Sequence, residues 1–343
     1  MNKTIALQAP HRGVTFGFYA RCGYFETEAA RGEVDAMAET GVQWVCLVAT
    51  VMQEGFSSTR QFRDFEHTPS DLELMEIIDY IHRKGMKVQL RPMLECYDGK
   101  GRLAVMFPAD TERMPGKKCT YASRWFDSMK RRSVYYARLA ERTGCEMFCL
   151  DSELDHIIGF NQEWKDIVAA VRRVYSGAVT SCHTMHTGVI DFEKVLQNKD
   201  HWFYDLDILS ISHYIVGAKT AGLTAEEMAA NMVGERDRLR RVAALYGKPI
   251  LLGENGCTSS AGGAISPSGW APTSGYDGQE QANYLEAVLS TFWDEPWWYG
   301  IYWWKWDEQN HRTEMTNDPA GDKGFTVRGK PAQDVMRKWF SKI

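Results

Sequence analysis

Glu254 closes the run Pro-Ile-Leu-Leu-Gly-Glu-Asn-Gly at residues 249–256. A proline stops whatever precedes it, three apolar residues follow, and a carboxylate flanked by glycines is delivered where the run ends. A short apolar run bounded by Pro and Gly reads as a strand buried on both faces. The arrangement occurs twice, because Met-Phe-Cys-Leu at 147–150 runs into Asp151, Ser152 and Glu153. A single strand-end Glu is ordinarily a solvated side chain. Two carboxylates at the exits of two buried strands are what acid–base cleavage of a glycosidic bond requires. At a separation of about 5–5.5 Å one attacks while the other protonates, and configuration is retained; about 6.5–9.5 Å leaves room for a water and gives inversion. No distance can be read from the sequence, so both outcomes stay open here.

Other side chains fall at neighbouring strand ends. Arg91 follows a third apolar run, where a cation either holds a carboxylate or fixes sugar hydroxyls; Glu95 and Gln53 are weaker candidates. Ser212-His213-Tyr214 ends the run before the one carrying Glu254, and a Tyr there can donate its O–H to Glu254 or pack under a loop. His183, His186 and His213 are placed for contacts with hydroxyls. Trp303, Trp304 and Trp306, with Trp297 and Trp298, crowd into ten positions. Their flat faces suit sugar rings, and alternation sends one of Trp303 and Trp304 to the site and the other outward. The rival chemistry is a divalent metal held by Asp151, Glu153, Asp155 and His156, completed by His183 and His186. Alternation puts Asp151 and Glu153 on one side, whereas a helix start after Glu153 makes Asp155 a solvated acid. The preferred reading has no metal and no cofactor.

These side chains need a scaffold that brings strand ends together. Apolar runs over 14–18, 44–48, 87–91 (stopped by Pro92), 146–150, 178–182, 208–212, 250–252 and 300–304 read as strands. Helical periodicity lies between them, at 27–40, 70–85, 121–143, 164–175, 192–197, 224–246 and 280–292, and a last helix begins near 331. Ser70/Glu73 and Thr224/Glu227 have the spacing of capping boxes. Eight strand–helix alternations predict a (β/α)8 TIM barrel over residues 1–343 as one domain. An open doubly wound sheet is the runner-up, but no Gly-rich phosphate fingerprint follows the first strand. A barrel gathers every strand's carboxyl end at one mouth, and long loops after strands 3, 7 and 8 wall a cleft there.

The totals agree with a folded enzyme. Of 343 residues 44% are hydrophobic and 25% charged, and 40 Lys+Arg against 45 Asp+Glu give −5 without a basic stripe, which argues against nucleic acid. No stretch reaches the roughly 20 apolar residues of a membrane span. Residues 1–20 lack an apolar signal-peptide core, and eight Cys show no paired spacing, with Cys46, Cys149 and Cys182 inside strands. The expectation is a cytoplasmic protein with reduced thiols, meeting short oligosaccharides rather than polymer, and of open oligomeric state.

The order of these pieces resembles a known family. Gly13-Val-Thr-Phe-Gly-Phe-Tyr19, Thr68-Pro-Ser-Asp71, Cys149-Leu-Asp-Ser-Glu-Leu154, Leu252-Gly-Glu-Asn-Gly256, Gly300-Ile-Tyr-Trp-Trp-Lys-Trp306 and Phe325-Thr-Val-Arg-Gly-Lys-Pro-Ala332 together look like glycoside hydrolase family 113. That family comprises clan A β-mannanases and related β-mannosidases. The resemblance implies a retaining barrel hydrolase with Glu153 as acid/base, Glu254 as nucleophile and Tyr214 as hydrogen-bond partner of Glu254. It departs from the family at Asp151-Ser152, where Gly-Thr is usual, at Ser181-Cys-His-Thr-Met-His186, where an Asn is expected, and at Arg113–Lys118. The alternatives are a metal-dependent barrel hydrolase or isomerase using the Asp151–His156 cluster, and a non-catalytic carbohydrate-binding barrel.

Overall fold

The structure, a computed structural model, describes residues 8–114, 116–308 and 321–342. Eight parallel strands form its centre: β1 (His11–Phe16), β2 (Trp44–Gln53), β3 (Lys87–Cys96), β4 (Met147–Ser152), β5 (Ala178–Thr184), β6 (Leu209–Ser212), β7 (Ile250–Asn255) and β8 (Trp298–Trp306). Each pairs with the next, and β1 pairs with both β2 (Gly13 beside Trp44) and β8 (Val14 beside Trp303), which closes the ring. Around it lie α1 (Glu28–Glu39), α2 (Asp71–Arg83), α3 (Tyr121–Thr143), α4 (Asn161–Arg172), the single turn α5 (Phe192–Val195), α6 (Ala225–Tyr246), α7 (Gly278–Phe292) and α8 (Pro331–Phe340). This is the (β/α)8 barrel that the alternation predicts.

Local signals account for most boundaries. Both capping boxes form, with Ser70 and Thr224 each accepting from a backbone N–H three residues on while Glu73 and Glu227 reach back. The apolar stripe of α2, from Leu74 through Ile77 and Ile78 to Ile81, is buried against the barrel.

The third strand departs from expectation, running through Pro92 to Cys96 instead of stopping before it. Pairing explains this. The strand stays in register with β2 as far as Gln53 beside Cys96, but meets β4 only at Gln89 and Leu90. Beyond Leu90 its β4 side is a free edge, where a residue without an N–H costs little. The Asp151 carboxylate accepts from Leu94 N at 3.3 Å on that edge. The extension matters because it carries Glu95 up to the mouth.

Two interior layers fill the barrel. Trp44, Cys46, Met147, Ala178, Ile208, Leu251 and Tyr302 form the lower one, and Val48, Met93, Tyr214, Trp304 and Phe325 the upper one. The loop after β3 holds a 3-10 turn (Arg102–Ala104) and a hairpin of Thr111–Met114 with Lys117–Cys119. Within the Arg113–Lys118 departure, Pro115 lies outside the described residues, as does 309–320 in the loop after β8. No helix among the described residues is long and apolar enough to cross a membrane.

Candidate active site

Glu254 lies one residue from the end of β7 and is 1% exposed. Its Oε1 accepts from Arg91 Nη1 at 2.5 Å and from Ser152 Oγ at 2.6 Å. Arg91 points up the barrel axis from β3 and uses Nη2 on the Gly253 carbonyl at 3.0 Å. A side chain at Gly253 would come within 2.8 Å of Ser210 Cβ, so only glycine leaves the two strands this close.

Glu153 follows β4 with φ at +61°, a left-handed backbone that a non-glycine residue seldom adopts. That turn corrects the alternation argument. Ser152 points into the barrel and Glu153 is swung to the mouth as well, while Asp151 points outward to Arg132 on α3, 2.6 Å away. Glu153 Oε1 accepts from Ser212 Oγ at 2.8 Å, and Oε2 from Arg102 Nη2 at 2.8 Å. The other arm of Arg102 pairs with Glu95.

Burial, and then the negative charge of Glu153, push the Glu254 carboxyl up to about 7; Arg91, Arg102 and the Ser152 hydroxyl pull the other way. Burial also raises Glu95, against the pull of Arg102. The Tyr214 phenol is raised by burial and then by the charges of Glu254 and Glu153, so it stays a neutral O–H.

Several expected residues stand elsewhere. Tyr214 lies at the mouth, but the hydrogen bond to Glu254 predicted for it is not formed; Ser152 and Arg91 hold that oxygen instead. Arg91 is fully buried beneath Glu254, which places it out of a sugar's reach. His183 faces outward, between Asp155 at 3.1 Å and the rings of Trp202 and Phe203. His213 is buried against Glu235 of α6, 3.0 Å away. His186 is exposed, its ring edge-on to Tyr214 at 5.3 Å, and so it does border the mouth. Gln53 is a structural residue that accepts from Trp125 Nε1 at 3.0 Å.

Trp303 and Trp304 divide as alternation requires, whereas Trp306 does not keep to the side of Trp304. Trp304 faces the mouth, whereas Trp303 packs outward against Tyr284 of α7, and Trp306 is tied to Glu33 of α1 at 2.7 Å. Trp303 is thus the one of the pair that packs outward, and Trp306, a candidate for the cleft, belongs to the core instead. The proposed metal ligands diverge: Asp151 serves Arg132, Asp155 serves His183 and Thr184, and Glu153 serves Arg102 and Ser212. Among the described residues no cluster of three such groups is assembled.

Sequence reasoning missed part of the mouth. Phe18 and Tyr19 after β1, Trp270 in the loop after β7, and Phe325 form a wall around Trp304, with ring separations of 5.1–6.2 Å. Trp270 and Tyr19 stay about half exposed. A lone Trp within a Gly/Ser-rich loop was the available signal for the first, and the Gly-Lys-Gly-Arg run at 99–102 for Arg102.

A closed barrel with two buried, differently held glutamates at the ends of β4 and β7 has the site of a two-carboxylate glycoside hydrolase. The family model of Glycoside Hydrolase Family 113 matches residues 14–330, and the chain belongs to that family. It is therefore a glycoside hydrolase.

Among solved structures, a GH113 β-1,4-mannanase complex is 27% identical with a TM-score of 0.83, covering 98% of this chain and 100% of that one. The GH113 β-mannanase AaManA from Alicyclobacillus acidocaldarius, in complex with ManMIm, is 29% identical at TM-score 0.82, covering 97% and 98%. A family 5 mannosidase from Rhizomucor miehei, 11% identical at TM-score 0.63 over 97% and 93%, shares the fold. None of the curated protein sequences matches this chain.

Proposed function

We propose that the protein hydrolyses β-mannosides with retention of configuration, with Glu254 as nucleophile and Glu153 as acid/base. The observation that carries this assignment is the separate anchoring of Glu254. A carboxylate gripped by the fully buried Arg91 at 2.5 Å and the Ser152 hydroxyl at 2.6 Å, both on barrel strands, is fixed in place, as an attacking group must be, whereas the guanidinium on Glu153 comes from a loop. In the first step Glu254 forms a bond to the anomeric carbon while the Glu153 proton passes to the leaving oxygen, whose bond to that carbon breaks. In the second, Glu153 takes a proton from water, the water oxygen displaces Glu254, and the sugar departs with its original configuration.

Trp270 and Tyr19, each about half exposed and backed by the buried Trp304 and by Phe18, offer apolar faces to the sugar rings. The two GH113 neighbours are β-mannanases by name, which supports mannose as the sugar. An assay of aryl β-glycosides of mannose, glucose and xylose, with and without EDTA, tests the reading, and NMR of the first-formed product gives the stereochemistry. Preferential, EDTA-insensitive release from the mannoside with a β-configured product is expected. An α-configured product would overturn the nucleophile assignment, and EDTA-sensitive activity would favour the metal alternative.

A further inference from the structure

Arg102 occupies an unusual place. It is 8% exposed, stands on the 3-10 turn of the loop after β3, and joins Glu95 on one arm to Glu153 on the other. Its guanidinium carbon lies 5.5 Å from the centre of the Phe18 ring. A cavity of about 280 Å3 opens beside it, lined by Phe18, Tyr19, Thr50, Met52 and Glu95 among others, yet neither catalytic glutamate reaches that cavity. The guanidinium links Glu95 on the cavity wall to Glu153.

Charge makes this arrangement inconsistent with a ready catalyst. The groups that act on the Glu153 region from the surrounding elements are Glu254 on β7, Asp151 on β4, Glu95 on β3, Cys182 on β5, Tyr214 after β6 and Arg102 itself. Asp151 is matched by Arg132 and Glu254 by Arg91. While Arg102 is in place, Glu153 has a guanidinium partner just as Glu254 does, so the two carboxyls are held alike. Removing Arg102 breaks that symmetry. Glu254 keeps its cation and Glu153 loses its own, so the proton settles on the acid.

We propose that Arg102 is a positioning residue that plugs the site in the free enzyme and is displaced by the incoming sugar, and that its departure places the catalytic proton on Glu153. This rests on the acid/base assignment above. The backbone that aims the arginine inward depends on glycine: Gly99 and Gly101 precede it with φ of +73° and +66°, and Gly101 has ψ at 174°, a combination open essentially to glycine alone.

Two variants test the proposal with 4-nitrophenyl β-mannoside over a pH series. Arg102→Ala removes the plug. Gly101→Ala keeps the guanidinium but strains the backbone that aims it inward, so it remains informative if Arg102→Ala fails to fold. The wild type is expected to show the basic limb of kcat/KM at lower pH than that of kcat, because only the free enzyme contains the Arg102–Glu153 pair. In both variants the kcat/KM limb should rise to meet the kcat limb, and KM should fall several-fold. A KM raised tenfold or more in Arg102→Ala, with unshifted limbs, would overturn the proposal, since Arg102 would then bind sugar; this leaves the mannosidase reading intact. A wild type without activity alongside an active Arg102→Ala supports the plug. Both proteins folded and inactive on every aryl glycoside would overturn plug and reading together.

Discussion

Ser152 Oγ donates to Glu254 Oε1 across 2.6 Å, so the residue immediately before one glutamate holds the other. Ser212, opposite Glu254 in the β6–β7 ladder, does the reverse and donates to Glu153 Oε1 at 2.8 Å. The hydroxyls are crossed: each strand end that neighbours one carboxylate orients the other, which couples the two positions through rigid strands rather than mobile loops. Ser152 is also where the chain departs from the Thr usual in the family, and Ser keeps the hydroxyl while omitting the methyl.

Ser152→Ala should therefore act on kcat more than on KM. A hydrogen bond to a charged group contributes about 1.5–3 kcal/mol, so a fall in kcat of roughly tenfold to a hundredfold is expected. Steady-state kinetics check it; a change confined to KM would mean that Ser152 contacts the sugar.

Glu254→Ala should abolish turnover and also lower the melting temperature, because it strands Arg91, which is fully buried. Breaking such a pair costs about 3–5 kcal/mol. Azide should restore activity to this variant by entering the vacated space and yielding an α-mannosyl azide, whereas Glu254→Gln, with the space still filled, should not respond. A β-azide would exchange the roles of the two glutamates.

The raised Glu254 carboxyl has a signed consequence for stability. The folded protein holds this proton to about 7, while the unfolded chain releases it near about 4.3. Stability from this group is complete below the unfolded value and is lost as pH rises through the folded one. The wild type should accordingly lose melting temperature between pH 5 and 8 more steeply than Glu254→Gln, measured in parallel scans. Equal slopes would show that Glu254 is ionised throughout.

Glu153→Ala should flatten the basic limb of the pH–rate profile. It should spare glycosylation by dinitrophenyl mannosides, whose leaving group departs without protonation. Equal loss on both substrate types, with the limb still present, would assign the acid elsewhere.

Trp270→Ala removes a half-exposed face of the aromatic wall. Losing contact with about 50 Å2 of sugar surface corresponds to about 1 kcal/mol, so KM for mannooligosaccharides should rise several-fold with kcat and melting temperature little changed. An unaltered KM for chains of every length would place the sugars away from this wall.

The barrel and its two strand-end glutamates were legible in the sequence because each signal is local. Apolar runs ended by Pro or Gly, a 3.6-residue stripe and a capping box all act over a few neighbouring residues, and β7 alone specifies where Glu254 must emerge. Alternation along β8 was enough to separate Trp304 from Trp303. The partners of the glutamates were not legible, since they come from contacts between residues far apart in the chain: Arg91 with Glu254, Ser212 with Glu153, Arg102 with both Glu95 and Glu153. Two local rules also yielded to tertiary context. Pro92 sits inside a strand because β4 leaves that edge unpaired, and Glu153 leaves the alternation because its backbone turns left-handed at +61°. Sequence patterns of period 2 and 3.6 report which face a residue takes within one element. Which side chains meet above the barrel depends on how eight elements close, and only the closed ring brings the guanidinium of Arg102 onto Glu153.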